Sequence, residues 1–369
     1  MENKNPVKIG IIGCGMISRA YTKNIPLFRQ VELTACADLD PARARSLAEE
    51  TGSRALSVKE LLESEVEIVL NLTLPAVHDE VNRQIIEAGK HPYCEKPLGL
   101  DFEEARATCA IAEERGLLIG CPPDTVLGAG VSTARRVIDD GWIGQPTGGT
   151  AFMLGPGPER WHPNAGFYYL KGGGPLFDMG PYYLTSLIHL LGAVKAVSVR
   201  AIRSRDERLA SSPELWGQRL PVETYTTYSG SLEFSSGAIV TIGFSFDVQR
   251  HGHSPIEIYG SEGSLKVPDP NGFGGPVEVY RPDANPDRAW QDLPMVHGYS
   301  ENSRFLGVAD MAAAIREGRA PRCSGQLALH VLEIMTACEA SEREQRTIAL
   351  SSTVERPAPM PSGLIVGQV

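Results

Sequence analysis

The sequence predicts two domains of different character. Residues 1–122 should form a doubly wound parallel α/β sheet, and residues 123–369 an α+β domain on a large, mostly antiparallel, open-faced sheet. Three observations lead there. Short apolar runs alternate with charged, Ala-rich helical stretches as far as Pro122. The Pro122-Pro123 pair then interrupts that rhythm, and beyond Thr147 the strands alternate in polarity instead of running apolar throughout. A length of 369 residues suits two domains, and 42% hydrophobic with 22% charged residues is enough to build folded cores.

In the first domain the apolar runs at residues 7–12, 31–37, 68–74, 92–95 and 117–120 read as strands. Helices are expected over 57–63, 78–88 and 101–115, the last two closed by Gly89 and Gly116 in C-cap positions. A helix over 129–140, ended by Gly141, opens the second domain. There Val240, Ile242, Phe244 and Phe246 point one way, and Thr241, Gly243 and Ser245 the other, which suits a half-buried antiparallel sheet. Ser235-Ser236-Gly237 and Gly260-Ser261-Glu262-Gly263 read as hairpin turns. Two further helices are expected over 303–317 and 325–342, with a returning strand at 347–350 and an irregular tail from Pro357.

Charge and composition weigh against several functions. Thirty-five Lys and Arg against 45 Asp and Glu give a formal charge of −10, a field that repels nucleic acid. No apolar run reaches the roughly 18 residues of a membrane span, and the first residues lack a secretory pattern, so a cytoplasmic protein without a membrane partner is expected. Seven cysteines include no C-x-x-C pair or zinc-type cluster, and His251-Gly252-His253 lacks further ligands, so no metal is expected.

Gly13-Cys14-Gly15-Met16-Ile17-Ser18 follows a strand and precedes a helical stretch at 19–24, the setting of a dinucleotide-binding turn. Gly13 would permit the tight turn, and Gly15 the approach of a pyrophosphate. The amides of Met16 and Ile17 would face it from the helix start. Ser18 replaces the usual third glycine. About 20 residues further on, Asp38 ends the second strand, where a carboxylate accepts ribose hydroxyls and repels a 2′-phosphate. NAD is therefore expected over NADP, with Arg43 and Arg45 close enough to soften the preference. Thr73 and His78, after the strand at 68–74, are candidates for the nicotinamide side.

Glu95-Lys96-Pro97 ends the strand at 92–95, where open α/β sheets place their ligands. Together with the glycine turn and Asp38, this motif resembles the Gfo/Idh/MocA family of oxidoreductases. Gly172-Gly173-Gly174-Pro175-Leu176-Phe177-Asp178-Met179-Gly180 and Ser324-Gly325-Gln326-Leu327-Ala328-Leu329-His330 extend the resemblance over nearly the whole chain. The resemblance implies an NAD(P)-dependent dehydrogenase or reductase, with Glu95 and Lys96 beside the cofactor and Lys96 and Asp178 in catalysis. It also implies a homodimer or homotetramer built on the open sheet face. The family's more common His four residues after the Asp is Tyr182 here, as in some members.

Oxidation of a secondary alcohol needs a hydride acceptor, a group to take the hydroxyl proton and a cation or donor for the developing alkoxide. Tyr182 is expected to exchange the proton, since a nearby ammonium such as Lys96 favours an ionised phenol, with Lys96 itself the alternative carrier. Lys96 would polarise the reacting oxygen, and Asp178 would orient the substrate or steady Lys96. Asp178 and Tyr182 stand i, i+4 at the expected start of a helix running to about Leu191, with Pro181 in its first turn. Trp161, His162, Asn164 and Tyr168 lie in a segment that mixes aromatics with donors, as a polyhydroxylated ring would require, and His162 is a reserve acid or base. The expected substrate is a secondary hydroxyl or ketone of a sugar, sugar derivative or cyclitol. The alternatives are a dihydrodiol-type or other non-sugar alcohol dehydrogenase, an NAD-dependent glycosidase and a non-catalytic cofactor sensor.

Overall fold

The computed structural model describes residues 5–284 and 287–369, and the chain divides into two compact units. The first comprises the chain through Gly128 together with Val296–Leu329 and Pro357–Val369; the second comprises Ala129–Met295 and His330–Arg356. The sequence pattern puts everything after residue 122 in the second domain, whereas residues 123–128, Val296–Leu329 and Pro357–Val369 belong to the first unit. The C-terminal segments differ because one polypeptide returns to its first unit twice, which no local pattern encodes.

β1 (Val7–Ile12) has strands on both edges, and nearly all of its side chains are buried. It is followed by α1 (Met16–Thr22), β2 (Val31–Ala37), α2 (Pro41–Thr51), β3 (Arg54–Ala55), α3 (Val58–Glu63), β4 (Ile68–Asn71), α4 (His78–Glu87), β5 (His91–Cys94) and α5 (Phe102–Glu114). The five strands pair in parallel in the order β3-β2-β1-β4-β5. The order reverses at β1, so β2 and β4 flank its carboxyl end and leave a ligand crevice there. Under one face pack Ile12, Ala35, Leu61, Val69 and Ile85, all buried. A capping box starts α3, in which Ser57 and Glu60 satisfy each other's amides. Gly89 and Gly116, at φ +72° and +67°, follow their helices as expected.

Several details depart from expectation. Residues 117–120 form no strand: Gly120 makes a single bridge to Tyr93, and the proline pair that follows cannot extend a ladder. The fifth strand is instead β3, at the opposite edge of the sheet from β5, two exposed residues too short to show a period. β4 stops at Asn71, whose side-chain oxygen accepts the Thr73 amide and turns the chain. α1 begins at Met16, three residues before the expected start. α2 was not anticipated, although Asp40 caps it, Pro41 fills its first position and Gly52 follows it at φ +72°.

The second unit opens with α6 (Ala129–Asp139) and β6 (Pro146–Leu154), followed by α7 (Gly174–Leu191), β7 (Val194–Ile202), β8 (Glu207–Leu209) and β9 (Arg219–Pro221). Next come β10 (Thr227–Phe234), β11 (Ile239–Ser245), β12 (Ile256–Gly260), β13 (Ser264–Val267), β14 (Glu278–Tyr280) and β15 (Gln291–Asp292). α8 (Leu306–Glu317) belongs to the first unit, α9 (Gly325–Glu344) starts there and continues into the second, and β16 (Ile348–Ala349) returns to β7. The nine-stranded sheet runs β15-β14-β13-β12-β6-β11-β10-β7-β16. It is antiparallel except between β6 and β11.

Both expected hairpin turns occur, between β10 and β11 and between β12 and β13. α7 contacts one face of the sheet through β6, β10 and β11. Along β7 the buried Val197 and Val199 alternate with exposed Ser198 and Arg200, so the other face is open. α7 also corrects the sequence reading. It starts at Gly174, not near Asp178, so Pro181 is its eighth residue and removes a helical hydrogen bond to the Phe177 carbonyl. Among the described residues no helix is long and apolar enough to cross a membrane.

Candidate functional site

At the carboxyl end of β1 the chain turns at Gly13, whose φ of +99° suits glycine, and a Cβ there would lie 2.6 Å from the Leu72 carbonyl oxygen. The turn is tied to β2 by the Gly13 amide donating to Ala37 O at 2.9 Å. The Cys14 amide donates to Asp38 Oδ2 at 2.7 Å. Asp38 Oδ1 accepts the Asp40 amide at 2.8 Å, so its half-buried carboxylate is oriented by two backbone donors. Gly15 is the N-cap of α1, and a Cβ placed on it would meet nothing within 4 Å. Met16 is 72% exposed and Ile17 is half-buried. Ser18 is buried, and its hydroxyl donates back to Gly15 O at 2.7 Å, which explains how serine serves in the third-glycine position. Arg43 is exposed and pairs with Asp40 at 3.6 Å, within the start of α2.

The neighbouring strand ends are linked by buried polar groups. Thr73 donates its hydroxyl to Asn71 Oδ1 at 2.6 Å. The His78 ring is 1% exposed, with Nδ1 2.7 Å from Pro97 O and Nε2 3.2 Å from Thr73 O. Burial pushes its pKa down, against the pull of those two carbonyls. His78 thus joins the loop after β4 to the loop after β5, beside Lys96. Glu95 is buried: Oε1 accepts the Tyr21 hydroxyl at 2.9 Å, and Oε2 accepts the Lys96 amide at 2.7 Å. The Lys96 backbone is thereby fixed at the strand end, with its side chain half-buried. Tyr21 and Asn71 were missed by sequence reasoning, because a Tyr in a helix and an Asn at a strand end carry no distinctive spacing.

In the second unit, Asp178 and Tyr182 lie one turn apart on α7, Asp178 half-buried and Tyr182 5% exposed. The start of that helix packs on the aromatic segment, since a Cβ on Gly173 would come within 2.5 Å of Tyr168 O. Within the segment, the His162 ring meets Trp161, Phe167 and Tyr168 edge-on at 5.3, 5.5 and 5.2 Å. The Asn164 amide donates to His162 Nδ1 at 3.0 Å, so a neutral His162 carries its proton on Nε2. Trp161 and Asn164 are exposed, whereas His162 and Tyr168 are half-buried. Beneath them lies a charged cluster that the sequence did not signal: Arg208 bonds Glu159 at 3.0 Å and Asp247 at 2.6 Å. Burial opposes ionisation of Asp247, but the hydroxyls of Thr226, Ser204 and Thr227 and the Arg208 charge hold its carboxyl below the usual range.

Residues 7–121 match the oxidoreductase family with an NAD-binding Rossmann fold, and residues 131–266 match the GFO/IDH/MocA C-terminal domain. The chain belongs to this family. A dTDP-3,4-didehydro-2,6-dideoxy-alpha-D-glucose 3-reductase of Actinomadura kijaniata is 28% identical, over 93% of this chain and 97% of the relative. An inositol 2-dehydrogenase of Rhizobium meliloti is 24% identical, over 94% and 99%. A levoglucosan dehydrogenase solved with NADH shares the fold, with a TM-score of 0.81 and 20% identity over 94% of this chain and all (100%) of that one.

As a Gfo/Idh/MocA oxidoreductase the chain is an NAD-binding protein, and its turn fits that group. Gly15 leaves the space in front of its backbone clear. The first amides of α1 have no preceding helical carbonyl to bond. Asp38 offers an oriented carboxylate for hydroxyls.

Proposed function

We propose that the protein is an NAD-preferring dehydrogenase or reductase acting on a secondary hydroxyl or ketone of a sugar, sugar derivative or cyclitol. The observation that carries the cofactor preference is Asp38, aimed by the Cys14 and Asp40 amides as a fixed negative charge at the tip of β2. Such a carboxylate favours a free ribose over a phosphorylated one. The substrate class is supported by the relatives, which are named as enzymes of sugars and inositol.

Bound NAD supplies the hydride acceptor. Lys96, its backbone fixed through Glu95, polarises the reacting oxygen. Tyr182 takes the hydroxyl proton as the hydride leaves the same carbon, and returns it in reduction. Asp178 orients the substrate through an adjacent hydroxyl. Trp161, His162, Asn164 and Tyr168 form the substrate-facing segment, where rings stack on the apolar face of a polyol and polar groups address its hydroxyls. The open sheet face, which exposes Ile202, Ile239 and Tyr259, forms a homodimer or homotetramer contact, and the protein works in the cytoplasm.

The test is NADH formation across sugars, cyclitols and cyclic diols, with NADP in parallel. Oxidation of a sugar or cyclitol with NAD is expected. Turnover of cyclic diols alone would indicate a dihydrodiol-type enzyme, and tight NAD binding without turnover of any alcohol or carbonyl would indicate a cofactor sensor.

A further inference from the structure

Arg208 lies in β8, half of a two-stranded hairpin with β9 that joins neither large sheet. Its side chain is 4% exposed, yet it makes four hydrogen bonds. Two of these go to the carboxylates of Glu159 and Asp247; the others go to the carbonyls of Pro156 at 3.0 Å and Phe246 at 2.6 Å. The Glu159 carbonyl accepts the amides of Ser211 and Ser212, both at 3.0 Å, and its second carboxylate oxygen accepts the Tyr169 hydroxyl. Tyr169 O in turn accepts the Glu223 amide at 2.7 Å. The hairpin and Arg208 therefore grip the chain at 156–159 and at 169, the two ends of the stretch that carries Trp161, His162, Asn164 and Tyr168.

Stability alone gives little reason for this construction, because apolar packing can replace a buried ion cluster without loss. What apolar packing does not supply is direction. The guanidinium fork meets carboxylates and carbonyls at fixed angles and so sets the height and tilt of the segment's entry and exit.

We propose that Arg208 is a positioning residue for the substrate, acting through Glu159 and Tyr169 to hold the 161–168 segment in its binding arrangement. The proposal rests on the reading of that segment as substrate-facing. It implies that disturbing the cluster weakens polyol binding while leaving NAD binding and hydride transfer nearly intact.

Two variants test it. Arg208→Lys keeps the charge and loses the fork, and Tyr169→Phe removes one hydroxyl, so the second carries the test if the first does not fold. Backbone amide exchange over residues 158–170 should quicken in both relative to the rest of the chain. With NAD and the polyol most active in the panel, myo-inositol included, KM should rise about 10-fold or more with kcat within about threefold. The Kd for NAD should not move. Wild-type exchange over the segment would overturn the proposal, as would faster exchange with unchanged KM. Trp161→Ala separates the two ideas: if it raises KM while the Arg208 and Tyr169 variants do not, only the positioning role fails. If it too leaves KM unchanged, the substrate-facing reading has failed.

Discussion

Gly13 and Gly15 stand two residues apart in one turn, yet the packing around them requires glycine only at Gly13. An alanine at Gly15 adds a methyl where no protein atom lies within 4 Å, at φ −75°, which any residue adopts. Alanine is a poorer N-cap than glycine, so the cost to the fold is below about 1 kcal/mol, or about 2–4 °C in Tm. On the proposed cofactor reading, the same methyl would stand where a pyrophosphate approaches the backbone. Loss of one charge-assisted hydrogen bond, about 1.5–3 kcal/mol, lowers NAD affinity by about 10- to 100-fold.

Gly13→Ala behaves oppositely. It forces alanine to φ +99° and brings its Cβ to 2.6 Å from Leu72 O, in the backbone just past the end of β4. The left-handed region alone costs about 1–2 kcal/mol, and the overlap brings the total to about 3 kcal/mol or more. Thermal unfolding without ligand, paired with NAD titration by fluorescence, separates the effects. Gly15→Ala binding NAD like the wild type would refute the placement of the pyrophosphate over Gly15. A Gly13→Ala protein of unchanged Tm would refute the packing argument.

Three further outcomes are expected. Asp38→Ala should raise KM for NAD about tenfold or more and narrow the preference over NADP, read from steady-state rates with each coenzyme; an unchanged ratio would remove Asp38 from cofactor selection. Tyr182→Phe should lower kcat and alter its pH profile, and its loss should not add to that of Lys96→Met if the two groups act as one unit. His330 accepts the Val194 amide at Nε2, and burial lowers its pKa to about 4. The unfolded chain therefore binds a proton near pH 6.5 that the native chain refuses. Stability is complete above that pH and declines by about 3 kcal/mol as pH falls towards 4. Denaturant midpoints across this window should flatten in His330→Gln.

The parts of the fold visible in the sequence were those whose signal is local. β1 and β2 match their apolar runs residue for residue, and Gly89, Gly116 and Gly141 mark helix ends by their need for positive φ. The glycine turn and the strand-end Asp38 were legible because both rest on local spacing, two glycines after an apolar strand and a carboxylate closing the next one. What escaped depends on distant chain. β3 exists only because β2 is beside it, α8 returns to the first unit after all but the last strand of the second sheet, and the parallel β6–β11 pair has no counterpart in the polarity pattern. Nothing in the spacing of Arg208, Glu159 and Asp247 marks them as a cluster, since burial of a charged residue is a property of packing.

The central claim is that Lys96 assists hydride transfer in a protein that binds NAD independently of it. Pre-steady-state nicotinamide absorbance with saturating NAD and an oxidisable polyol, in wild type and Lys96→Met, together with the Kd for NAD of each, addresses it most directly. The hydride-transfer rate should fall by about 10²- to 10⁴-fold in the variant while the Kd for NAD stays the same. Transfer at the wild-type rate would contradict the account.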